Sequence, residues 1–315
     1  MRALPNPLHT RLLMLTLGQE GASEHAVAAR VVDVRKRGMV PLLGLLNGPG
    51  VVHDMELRLT VGRDDLTIRA ASLRMHEVPF PAGPGTRGES CRDNESGIGR
   101  IVGIALDGGV GPALFRAVGG PRGCFHVFTL LRLIAPSVVS AVRRGLARTD
   151  GRSFVRTIVV DGFDAEPRLR MHGTLTDMYY AAGASETLED AFEAEVDVEV
   201  GVPSLTVDAA EARHRRRTGA WWPEDVTALA GASVARGYGL RVDDVVPRPL
   251  APLRELLLMV QPTVFQCMPS IGGGPGSMRR SRREGPGSAA DSCSMWRAGG
   301  PLLAAVNGGS GVGAH

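Results

Sequence analysis

The chain almost lacks lysine: Lys36 is the only one, and arginine supplies the rest of its 36 basic side chains. Against 33 acidic residues this leaves a formal charge of +3 over 315 residues. That is too small for charge alone to indicate a nucleic-acid partner. The arginine preference runs through the whole chain like a coding bias, so no single arginine argues for chemistry. Aromatics are scarce at 4%, so aliphatic side chains must fill the core, and a hydrophobic content of 43% supplies them. No stretch approaches the roughly 18 apolar residues of a membrane span. The run Leu12 to Leu17 is too short for a secretory leader and no small-residue cleavage site follows it. The four cysteines, Cys91, Cys124, Cys267 and Cys293, form no C-x-x-C pair and no regular spacing. These absences point to a reduced, cytoplasmic protein with no membrane partner.

What the chain does have is an internal recurrence, and its length suggests about two domains. Met55-Glu56-Leu57-Arg58-Leu59-Thr60-Val61 and Phe192-Glu193-Ala194-Glu195-Val196-Asp197-Val198 share one apolar alternation, at an offset of 137 (Met55 to Phe192). Each reads as a half-buried strand with a period of two. The stretch Leu66-Thr67-Ile68-Arg69-Ala70-Ala71-Ser72-Leu73-Arg74 returns as Leu205-Thr206-Val207-Asp208-Ala209-Ala210-Glu211-Ala212-Arg213, at an offset of 139 (Leu66 to Leu205). The change of offset implies a longer turn in the second unit, Glu199 to Ser204. Gly103 and Gly109 then align with Gly231 and Gly237, and Leu130, Leu131 and Pro136 with Leu256, Leu257 and Pro262. The first unit therefore carries extra residues between Pro79 and Gly99. A weaker correspondence sets Val32-Asp33-Val34 beside Thr176-Asp177-Met178.

The expected fold class is α+β: a tandem duplication of an antiparallel sheet covered by helices on one face. Residues 1–148 form the first unit, which carries the candidate site, and 149–268 the second, degenerate one. Residues 269–290 are a Gly/Pro/Ser/Arg-rich linker or insertion, whose Arg279–Arg283 segment could dock a protein partner. Residues 291–315 form a C-terminal segment with a frayed tail.

Chemistry-bearing side chains gather in the first unit. His53 and Asp54 stand just before a strand, and the loop carrying Gly48-Pro49-Gly50 would let both face one site. Cys124 and His126 follow a flexible glycine approach, Gly119 to Gly123, at the start of an apolar helix, where the helix dipole lowers a thiol pKa. A thiolate, two imidazoles and a carboxylate suit one zinc or iron ion, with His53, Asp54, Cys124 and His126 as ligands. Cys124 as nucleophile with His126 or His53 as base, acting on a small substrate, remains open beside it. So does a structural or interaction module with no site at all. By the offsets above, Asp190, Ala191, Leu250 and Pro252 replace these four in the second unit, so the scaffold recurs and the ligand-type residues do not. Cys91, in a polar loop, reads as a surface thiol or a third soft ligand. Arg122 could bind an anion. The row Glu193, Glu195, Asp197 and Glu199 reads as the outer face of a strand, and Trp221-Trp222 as packing. His25, His76, His172 and His214 read as ordinary polar positions. Cys293 supports no mechanism by itself.

The segments His53 to Val61, Leu66 to Ile68 and Gly119-Gly120-Pro121-Arg122-Gly123-Cys124-Phe125-His126 resemble a bacterial family catalogued as domain of unknown function 2889, over about residues 30–142. That family implies no established activity. More distantly, the order of Asp54, alternating strand, acidic turn, Leu66-Thr67-Ile68 strand, then Cys124 and His126 at a late helix looks like the iron–sulfur cluster assembly scaffold (NifU-like) fold. The resemblance implies metal or cluster ligation by Asp54, Cys124 and His126, with His53 in place of a first cysteine. The scaffold's central Gly-Cys has no counterpart: Pro79-Phe80-Pro81-Ala82-Gly83 stands there. With fewer thiolates, one metal ion fits the pattern better than a cluster.

Overall fold

The structure, a computed structural model, describes residues 6–21, 23–38, 40–42, 45–107, 109–144, 152–181, 187–202, 204–271 and 293–308. The Arg279–Arg283 segment lies outside the described residues. The long alternating stretches all become strands. The first half contributes β1 (Asn6–Glu20), β2 (Glu24–Arg35), the small hairpin β3 (Val40–Leu42) and β4 (Leu45–Asn47), β5 (Gly50–Gly62) and β6 (Ile68–Glu77). The second contributes β7 (Arg152–Ala165), β8 (Arg168–Tyr180), β9 (Leu188–Gly201), β10 (Val207–Arg216) and the short β11 (Trp222–Glu224). Nine of these build one antiparallel sheet in the order β11-β10-β9-β8-β7-β1-β2-β5-β6. The halves meet where β1 pairs with β7, Leu13 lying opposite Ile158.

Alternation decides which face is covered. Leu13, Leu15 and Leu17 of β1 point inward and are buried, while Leu12, Met14 and Thr16 are half-buried on the outer face. The helices are α1 (Gly111–Val118), α2 (Phe125–Arg143), α3 (Tyr238–Val245), α4 (Ala251–Leu258), α5 (Val260–Cys267) and α6 (Pro301–Gly308), and of these α2, α4 and α5 pack directly on the inner face. Buried Val127, Leu130, Leu131, Ile134 and Val138 of α2 and Leu253, Leu256, Leu257 and Val264 of α4 and α5 join the strand side chains in one core that runs through both halves. Each such aliphatic side chain contributes about 1.5–3 kcal/mol by leaving water. Helix α2 is long and apolar enough to cross a membrane by length and composition, which the sequence reading did not register. Of its apolar window 61% is buried inside this core, so packing on the sheet accounts for its composition.

The two halves agree turn for turn. Gly62 N–H donates to Thr67 O at 2.8 Å and Gly201 N–H to Thr206 O at 2.9 Å, and Leu66 and Leu205 both take left-handed backbone, at φ 52° and 53°. Gly103 N–H closes on Ile68 O as Gly231 N–H closes on Val207 O. These hairpin turns have equal lengths, which corrects the expected longer second turn. Strand pairing sets Met55 level with Ala194, not Phe192, so the offset is 139 all along β5 and β6. An error of two residues preserves the inside–outside alternation, and the alternation alone could not detect it. The corrected register puts Phe192 in the place of His53 and Glu193 in that of Asp54. Strands β1 and β7, which none of the recurring segments marked, join the sheet as well.

Candidate functional site

Three neighbouring strands set a row of side chains across the inner face. Arg11 of β1 pairs with Asp33 of β2, which pairs with His53 of β5. Arg11 grips the carboxylate with two hydrogen bonds, Nε to Oδ1 and Nη2 to Oδ2, each 2.8 Å. His9, two residues before Arg11 and so on the same face, places Nε2 3.0 Å from Oδ1. From above, the first turn of α2 lowers His126, whose Nε2 lies 3.3 Å from Asp33 Oδ2. His53 Nδ1 lies 3.2 Å from the same oxygen but is not aligned for a hydrogen bond, and it has no other partner among the described residues. The His53 and His126 rings lie against each other, tilted by 34°, centroids 3.9 Å apart. Gln266 of α5 brings its amide to 3.3 Å from His126 Nε2. The cluster is sealed: Arg11 and Asp33 have no exposed surface and His53 keeps 6%.

Burial sets the protonation states. It alone would raise the Asp33 pKa, but the Arg11 charge and its two hydrogen bonds outweigh it and hold the carboxyl well below its usual range. Burial, then the neighbouring His53, pushes His126 down to about 3 against the pull of Asp33. Burial lowers His9 as well. At neutral pH the centre therefore contains the ionised Asp33 carboxylate beside the unprotonated imidazoles of His9 and His126, and a carboxylate with an unprotonated imidazole is the donor state a divalent metal needs.

The structure brings His53 and His126 together and separates the other two expected ligands from them. His53 and Asp54 both lie within β5 rather than in a loop before it, so they face opposite sides of the sheet. Asp54 turns outward into a two-point ion pair with Arg30, at 2.7 and 2.6 Å. It cannot share an ion with His126, and the part that the scaffold resemblance gave it falls with that. Cys124 caps the start of α2 and its Sγ lies 3.8 Å from His126 Nδ1, on the side of the ring away from Asp33. It supports the imidazole without joining the Asp33 group. Its thiol is not activated: burial pushes its pKa up to about 12, overriding the helix end. The Gly119 to Gly123 run is a close approach, not a flexible one. A side chain on Gly123 would strike the Val118 carbonyl.

The sequence reading missed His9, Arg11 and Asp33. The usable signal was an aspartate inside the apolar run Val31 to Val34, recurring at Asp177. Among the lesser candidates, Glu193, Glu195 and Asp197 make cross-strand ion pairs with Arg215, Arg213 and Arg170. Trp221 sits under Arg213 and Arg215, and Trp222 is exposed. Arg122 accepts from Arg100 through its carbonyl. His25, expected at an ordinary polar position, is fully buried.

Residues 9–140, from β1 through most of α2, match a family described as a protein of unknown function, DUF2889. No curated protein and no solved structure matches the chain.

Proposed function

We propose that the first half of this chain holds a single divalent metal ion, zinc or iron, at Asp33, His53 and His126. The carrying observation is that one buried carboxylate and two buried imidazoles offer ligand atoms within 4.8 Å of one another. The spacing supports the reading. Bonds of about 2.0–2.1 Å around a tetrahedral ion set neighbouring ligands about 3.3–3.4 Å apart, close to the 3.2 and 3.3 Å found from Asp33 Oδ2. The partnerless His53 Nδ1 supplies a buried lone-pair position in need of an occupant. Arg11, bonded to both carboxylate oxygens, leaves Oδ2 a second lone pair and keeps Asp33 ionised. His126 Nδ1 against Cys124 Sγ fixes the ring so that Nε2 faces the ion. Three protein ligands leave a fourth position for water or substrate, as in catalytic centres. The nucleophile reading has less support, since the Cys124 thiol is buried and protonated.

The contrast between the halves favours a functional role for the histidines. We read the chain as a tandem duplication in which the second unit keeps the scaffold and lacks the site. None of the four cysteines is in a disulfide, in keeping with a cytoplasmic setting. The test is metal analysis of the purified, untagged protein beside a His53→Ala, His126→Ala variant with an unchanged circular dichroism spectrum. The variant is expected to hold one equivalent less of zinc or iron. Equal metal in both proteins, or no zinc uptake by the wild type in calorimetry, removes the reading.

A further inference from the structure

The second half of the sheet sets an acid on a guanidinium nitrogen that the first half leaves bare. Arg156 holds Asp177 through Nε and Nη2, as Arg11 holds Asp33. Its third nitrogen, Nη1, donates to the Glu255 carboxylate and to Ser137 Oγ. Burial runs in step along α2 and the α4–α5 pair. Val127, Thr129, Leu130 and Leu131 are buried, and so, at an offset of 126 (Val127 to Leu253), are Leu253, Glu255, Leu256 and Leu257. The counterpart of Glu255 is therefore Thr129, and that of Ser137 is Thr263. Both threonines give their hydroxyls to the carbonyl one turn before, Thr129 to Phe125 and Thr263 to Met259, each at 2.9 Å. Neither brings a charge. Arg11 has no exposed surface, and its Nη1 has no hydrogen-bond partner among the described residues. A buried charged donor without an acceptor is costly, and such a group calls for an occupant.

We infer that the ion proposed at Asp33, His53 and His126 takes a small carboxylate as its fourth ligand, held by Arg11 Nη1; this rests on the metal reading above. One carboxylate oxygen completes the ion and the other accepts from Nη1, as Glu255 does from Arg156. The span fits. Nη2 of the same guanidinium is 2.8 Å from Asp33 Oδ2, and the rigid fork keeps Nη1 within about 5 Å of that oxygen. Charge calls for the same ligand. Arg11 and Asp33 cancel, so a divalent ion brings two uncompensated positive charges into a sealed core, and burial penalises them until an anion joins. In the second half the chain sets two carboxyls, Asp177 and Glu255, on one guanidinium. A cleft between α2 and the α4–α5 pair is lined by both Thr129 and Glu255. Its volume of about 30 Å³ exceeds the roughly 10–15 Å³ that one water needs.

The probe is sodium acetate, titrated at constant ionic strength into the full-length protein loaded with cobalt(II) and followed by the visible absorption of the bound cobalt. Acetate should shift that spectrum and saturate, with half-saturation roughly tenfold or more below the concentration at which acetate complexes cobalt in water. Thr129→Glu gives the first half the acid of the second. With its fold verified by far-ultraviolet circular dichroism, this variant should show the acetate-saturated spectrum before any acetate is added and respond no further. The wild-type titration decides by itself if the variant does not fold. No cobalt spectrum at all removes the metal reading and this inference with it. A cobalt spectrum that acetate does not move overturns the carboxylate and leaves the metal reading standing. Half-saturation as weak as in water, or a full acetate response in folded Thr129→Glu, overturns the seat at Arg11.

Discussion

The two halves of the sheet hold the same buried ion pair and surround it differently. In the first, Arg11 grips Asp33. In the second, at the matching register, Arg156 grips Asp177 through Nε and Nη2, both at 2.6 Å. Around Asp33 stand His9, His53 and His126. Their places around Asp177 are taken by Phe154, Phe192 and Pro252. The second pair is finished instead by Glu255 of α4 and by Ser137, which α2 carries across from the first half; both meet Arg156 Nη1. Tyr179 OH adds a bond of 3.3 Å to Asp177. In the second half the pair is closed off with hydrogen bonds. In the first, Arg11 Nη1 and His53 Nδ1 have no hydrogen-bond partner among the described residues. Because the pair occurs in both halves, it belongs to the scaffold, and the histidines are the part that needs a functional explanation.

The largest expected effect tests whether the pairs are equivalent. Asp33→Ala leaves the buried Arg11 with no anion and should cost about 3–5 kcal/mol in urea unfolding. Asp177→Ala should cost distinctly less, because Glu255 still faces Arg156. Equal losses would show that Glu255 does not do what its position suggests.

Acid should separate the halves next. In the metal-free protein the folded-state pKa of His126 lies near 3, below the value of about 6.5 in an unfolded chain. Between those values the unfolded state binds a proton that the folded state refuses, so stability is lost as pH falls. From pH 6.5 to 5 the loss from His126 is about 2 kcal/mol. Lowered His9 acts in the same direction, and depressed Asp33 contributes stability that is lost only at still lower pH. The facing groups are Arg11, Asp33, His53, Gln266 and Cys124. His126→Gln should flatten the urea midpoint over this range. A midpoint that still falls by as much would assign the acid sensitivity elsewhere.

Ser137→Ala sharpens the comparison from the other side. Glu255 still holds Arg156, so the loss should stay within about 0.5–1.5 kcal/mol by urea unfolding. A larger loss would mean that α2 carries more of the second half's closure than one hydroxyl. The smallest stability change belongs to His53→Phe, which gives the first half the residue of the second. It removes a buried nitrogen without a partner, so stability should move by less than about 1 kcal/mol, while metal affinity falls at least tenfold in calorimetry. A strong destabilisation without loss of metal would make His53 a packing residue.

Much of the fold could be read from apolar alternation, which marked β5, β6, β9 and β10, and from the glycines that close matching turns. The register could not, because a slip of two leaves every inward residue inward. Strand β1 was hidden for a related reason: Leu12 to Leu17 is apolar on both faces in the middle of a wide sheet, so its alternation is faint. Half of the site was visible in His53 and His126, whose residue types are informative in any setting. Asp54 misled because it neighbours His53 in sequence, and neighbours on a strand face apart. Asp33 became significant only when β1, β2 and β5 lay side by side, a long-range fact that no local spacing carries.

The seam between β1 and β7 has a consequence for what this molecule is free to become. Leu13 faces Ile158, and the pairing counts outward evenly, Thr10 to Asp161 and Thr16 to Val155. This is the geometry of a two-fold homodimer written on a single chain. A true homodimer must carry the same residue at both related places, so each of its sites is copied or neither exists. Here the two places have separate codons. One can keep a phenylalanine and serve as a rigid wall while the other explores histidine, and the cost of an imperfectly satisfied polar centre falls on half of the sheet instead of all of it.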